Sequence, residues 1–184
     1  MMNPIDATMS PEMADQLDDQ KATGMDAEDY REVFLDLVDD VCLELGYEPR
    51  SNAPAEDEVV AMEMALDGIP FAVAHSLTTA PERIVVECRF GKVPKERTEA
   101  VLFRLLHMNH ALADSDAAAF GMDAQTGEVI YTYACDLEGK TGRILLSTMT
   151  QMTWQAKNWN ATYFLDESKG SQGADLPTYL TTLA

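Results

Sequence analysis

The chain has 184 residues, 46% of them apolar, and carries 32 Asp and Glu against 13 Lys and Arg, a formal net charge of −19 at neutral pH. That length holds one well-buried domain and is short for two, and the apolar share excludes disorder of the whole chain. So acidic a protein repels phosphate backbones and anionic lipid surfaces, which disfavours nucleic acid and membrane as partners.

Residues 1–25 carry isolated methionines, two prolines and many acids without a sustained period. They read as a flexible acidic leader with room for a short helix at 12–20. Asp6, Glu12, Asp15, Asp18 and Asp19 stand where a signal peptide needs basic residues and then an apolar core. No run of about 18 apolar residues offers a membrane span. Cys42, Cys88 and Cys135 are odd in number, lack CxxC spacing and sit inside apolar runs, the pattern of reduced, buried thiols. The expected compartment is the cytoplasm.

The domain is expected at 26–167. Tyr30, Val33, Phe34, Leu37, Val38, Val41 and Leu45 recur at helical spacing, with Asp26 as the cap and Gly46 as the stop. Strands follow. Val60, Met62, Met64 and Leu66 alternate with Val59, Ala61, Glu63 and Ala65, and Asp67-Gly68 is a hairpin turn. Ile69, Phe71, Val73, His75 and Leu77 alternate in a second run, and Ile84, Val86, Cys88 and Phe90 in a third. After Gly91, read as a turn glycine, the period changes. Over 95–112, Val101, Leu105, Met108 and Leu112 form one helical stripe flanked by Leu102 and Leu106. Strands at 117–124 and 128–137 make a second hairpin through Gln125-Thr126-Gly127. A long amphipathic helix at 143–165 carries Leu145, Met149, Met152, Ala156, Trp159 and Tyr163. Residues 168–184, rich in Ser, Gly and Thr, read as a loose tail in which Leu176, Tyr179, Leu180 and Leu183 can dock as one turn. The order α-β-β-β-α-β-β-α predicts an α+β domain, a twisted five-stranded antiparallel sheet with three helices.

That order, with Leu105-Leu106-His107-Met108-Asn109, then Ala118-Ala119-Phe120-Gly121-Met122-Asp123 and Thr126-Gly127-Glu128-Val129, resembles the class I type III secretion chaperones, the Tir-chaperone (CesT-like) family. The similarity covers roughly residues 28–165, and the leader and tail extend beyond the compact family core. The resemblance implies a bacterial cytoplasmic homodimer that holds the N-terminal chaperone-binding segment of a secreted effector in a largely unfolded, secretion-competent form. The wide stripe of the second helix places the expected dimer interface at Val101, Leu105, Met108, Leu112 and Phe120. Small or adaptable apolar residues and strand edges place effector binding at Ala61, Met62, Met64, Ala72, Ala74, Val85 and Ile130, by strand addition. Gly121, Asp123 and Gly127 are turn-forming residues. Gly121 thins the strand for a bulge or close approach, Asp123 folds onto the turn backbone, and Gly127 supplies positive φ.

Competing chemistry is thin. His107 and His110, three apart, can face one metal ion with Asp114 and Asp116 just beyond, but spacing fixes no third ligand. His75 reads as a hydrogen-bonded core residue. No acid pair is set by spacing in an apolar pocket, and no nucleophile or phosphate-loop motif appears. No cofactor and no catalysis are expected. The remaining alternatives are a protein-binding regulatory module of the same fold, untied to secretion, and a metal-dependent enzyme around His107 and His110.

Overall fold

The computed structural model describes residues 25–48, 58–112 and 118–165. The acidic leader with its short helix, the docking turn at 176–183, Asp114 and Asp116 lie outside the described residues.

Helix α1 (Ala27–Glu44) starts on a reciprocal cap. Asp29 N–H donates to Asp26 Oδ1 at 2.9 Å, and Asp26 N–H donates to Asp29 Oδ2 at 3.0 Å. Donors that the first turn would leave unpaired are thereby satisfied. At the other end Gly46 takes φ +77°, and Tyr47 N–H reaches back to Cys42 O at 2.8 Å.

Strands β1 (Val59–Leu66) and β2 (Ile69–Ser76) are joined by Asp67-Gly68, both at positive φ (52° and 81°). That twist suits a two-residue hairpin. Strand β3 (Arg83–Lys92) follows, then a 3-10 turn at Lys95–Arg97, helix α2 (Thr98–Leu112), strands β4 (Ala118–Met122) and β5 (Glu128–Asp136), and helix α3 (Gly142–Thr162). The five strands form one antiparallel sheet in the order β1-β2-β3-β5-β4. Element order and sheet type agree with the sequence reading.

Helix α3 packs on β3 and against α1, over the apolar side of the sheet. Phe34, Val73, Ile84, Val86, Tyr131, Met149 and Trp159 are fully buried there. The crossing of α1 and α3 depends on one glycine. A Cβ on Gly142 would lie 2.7 Å from both the carbonyl carbon and the Cβ of Asp40, closer than packed atoms tolerate.

Two local features depart from the sequence reading. Gly91 lies inside β3, at a shift of register between Arg89 and Gly91 opposite β5, with φ +108°. It accommodates a bulge rather than a turn. Helix α3 stops at Thr162, short of the expected 165, because Tyr163 and Phe164 take left-handed φ values of 54° and 55°. Tyr163 N–H still caps Trp159 O at 2.7 Å. The reversal carries Phe164 into the aromatic cluster of Phe90, Phe120 and Trp159. Burial of one large ring offsets the unfavourable backbone, which helical periodicity alone does not show.

Candidate partner-binding surfaces

Among the described residues, two surfaces suit a partner once the core is assembled. The first is the outer edge of β1. Leu77 N–H donates to Glu58 O at 3.0 Å, so the even-numbered residues from Glu58 to Leu66 turn their main-chain groups toward β2. Val59, Ala61, Glu63 and Ala65 turn theirs outward, and among the described residues no strand pairs with that side. Beside it, the end of α1 and the helix-facing side of β1 leave a groove of about 320 Å³, lined by Val41, Leu45, Tyr47, Met62, Met64 and Ala65 among others. Tyr47 is 66% exposed at its rim. An unpaired strand edge beside such a trough, apolar in part and with Glu63 at its lining, can hold an extended chain by main-chain bonds and alternate side chains.

The second surface is α2. The stripe expected to form a dimer interface is used inside the subunit. Val101, Leu105, Met108 and Leu112 are 0–6% exposed, and Phe120 is packed on Phe90 and Tyr131. Those five residues therefore present no surface to a second copy. The opposite side of α2 shows Phe103 at 65% and Leu106 at 67% exposure, with His107 and His110 also exposed. Phe103 and Leu106 were legible as a second apolar line three residues apart; a helix apolar on both sides has two burial partners to find.

Residues 44–160 match the Tir chaperone protein (CesT) family. The chain belongs to that family. Solved structures share its fold, among them the two that follow. A chain of the HopA1–SchA chaperone–effector complex is 17% identical, with a TM-score of 0.50, over 70% of this chain and 94% of that one. A chain of the ExsC–ExsE complex is 16% identical, with a TM-score of 0.53, over 76% of this chain and 96% of that one. No curated protein matches significantly. The family is one of chaperones rather than of enzymes.

In this chaperone-family member the expected effector-binding residues do not form one patch. Ala61, Ala72, Ala74, Val85 and Ile130 lie on the helix-free side of the sheet, Ala61 exposed and the others half-buried. Met62 and Met64 lie on the opposite, helix-facing side; Met62 is 5% exposed in the core and Met64 half-buried at the groove. Strand alternation separates the two sets.

The β4–β5 turn is held by side chains. Asp123 Oδ1 accepts from Gln125 N–H at 2.7 Å and Thr126 N–H at 3.1 Å, and Gly127 takes φ +70°. The N–H groups of Thr126 and Gln125, with help from the Arg89 guanidinium, hold the Asp123 carboxyl below its usual range. Arg89 also meets Glu128 at 3.4 Å. A Cβ on Gly121 would meet open space, so no close approach requires glycine there.

His75, 1% exposed, stacks on Phe34 and donates through Nε2 to Pro81 O at 2.7 Å. The His107 ring lies against Phe103, at 4.8 Å between centroids. Among the described residues no group of three His, Cys, Asp or Glu is placed to hold a metal ion. Burial pushes the Cys88 and Cys135 thiols up, which disfavours the reactive thiolate. Among the described residues no helix is long and apolar enough to cross a membrane.

Proposed function

We propose that this protein is a cytoplasmic type III secretion chaperone, without catalytic activity or cofactor, that keeps a secreted effector soluble and secretion-competent. The observation that carries the reading is the outward main-chain row of β1 beside the groove at the end of α1, in a chain of the Tir chaperone family. The effector's N-terminal segment adds to β1 as an extended strand, its inward side chains resting on Met64 and Tyr47. Ala61 contributes main-chain bonds. That one of the fold relatives was solved as a chaperone–effector complex supports the assignment.

The working unit in this reading is a homodimer. Its interface is the outer side of α2, Phe103 and Leu106 first, in place of the buried stripe. A stable homodimer buries about 1,200–2,000 Å² in total, which requires more of the surface around these two side chains.

The test begins with purification from bacteria carrying a type III secretion system and identification of the copurified protein by mass spectrometry. Ala61→Pro then removes one outward N–H without breaking a bond to β2. Capture lost in the folded Ala61→Pro protein supports strand addition at β1. Undiminished capture by that variant places the cargo elsewhere, and a captured protein that is secreted normally without this chain defeats the chaperone reading.

A further inference from the structure

Asn109 makes a bonding pattern that neither the core nor the proposed cargo site uses. Its Nδ2 donates to Phe120 O at 2.8 Å, and its Oδ1 accepts from Phe120 N–H at 2.7 Å. Paired, opposed bonds to one residue's N–H and C=O are what a neighbouring antiparallel strand makes at a hydrogen-bonded position.

The register shows which side of β4 is engaged. Asp123 N–H donates to Glu128 O at 2.9 Å, so Gly121 and Ala119 are the residues of β4 that bond to Ile130 and Thr132 of β5. Ala118, Phe120 and Met122 therefore turn their main-chain groups away from the sheet. Phe120 is the middle one of the three, and the Asn109 carboxamide occupies it. With its centre taken, the outward row of β4 retains two separated positions among the described residues, Ala118 and Met122. The outward row of β1 retains four in succession, Val59, Ala61, Glu63 and Ala65.

We infer that Asn109 is a surrogate strand that closes β4 to strand addition and leaves β1 as the edge at which this sheet accepts a foreign chain. Exposed edges pair with other chains unless they are covered or blunted, and a second copy of this protein is the partner most available to an unguarded β4. Asn109 thus acts through Phe120 as a positioning residue. It sets one accepting edge per subunit.

The test needs no cargo, so its outcome is separable from that of the chaperone reading. In the unaltered chain, hydrogen exchange should be about threefold to tenfold slower at the Phe120 amide than at the outward amides of Ala118 and Met122. Equal rates would overturn the inference, whatever the variants do. Asn109→Ala and the nearly isosteric Asn109→Asp, full-length, should both show reversible, concentration-dependent assembly beyond the parent's in sedimentation. Adding Met122→Pro removes an outward N–H that β5 does not use, and should return each to the parent's profile. A folded variant of either kind that sediments like the parent refutes the guard, as does assembly that Met122→Pro leaves untouched.

Discussion

The two long sides of α2 are both apolar, yet they do opposite things. One side, Val101, Leu105, Met108 and Leu112, is buried within the subunit. The other shows Phe103 and Leu106 to solvent at about two-thirds exposure, 65% and 67%. The lesson is that an apolar stripe identifies a surface to be buried but not its partner. Adjacent leucines, Leu105 and Leu106, fall on different sides of that division and should fail differently.

Leu105→Glu has the largest expected effect. An unpaired carboxylate in the core should cost roughly 4 kcal/mol or more and abolish the cooperative unfolding transition in denaturant. The contrasting change, Phe103→Glu with Leu106→Glu, should leave far-UV circular dichroism unchanged while sedimentation shifts from dimer to monomer. If both pairs of measurements move together, the two sides of α2 are not separable.

Gly142→Ala sharpens the comparison from a distance. It forces the start of α3 off α1 and should cost about 1–3 kcal/mol, measured by urea unfolding, with the assembly state retained wherever the chain is folded. Asp123→Ala is expected to be the mildest. The folded carboxyl is held below its ordinary value, so its contribution is present above an unfolded pKa of about 3.9 and is lost as pH falls through the lower folded value. The stability gap between parent and Asp123→Ala should therefore close on acidification below about pH 4. A gap that is constant through that range would mean that charge on Asp123 contributes nothing.

Element order was legible because the apolar period changes from two to about 3.6 at recognisable punctuation. Asp67-Gly68 and Asp26 mark such boundaries locally, and the structure uses both as turn and cap. Which apolar side of α2 the subunit buries was not legible, since it is selected by β4 and Phe120, which the stripe itself does not name. The candidate cargo site was legible in part. Open strand edges follow from any such sheet, but which edge is accessible depends on Asn109 meeting Phe120 eleven residues away. Alternation already separated Met62 from Ala61, so grouping them joined two faces that the strand keeps apart. The end of α3 escaped because Tyr163 and Phe164 are ordinary helix residues by pattern, and only the aromatic cluster selects their backbone.

That reversal also sets the heading of the last described residues. Had α3 continued, the chain would leave along the helix axis, carried away from the sheet by about 1.5 Å with every residue. Turned back at Tyr163, it instead lays Phe164 against Phe90 and Phe120. A single ring thus holds the backbone at Tyr163 and Phe164 in its left-handed turn, and replacing Phe164 with a small residue should release it.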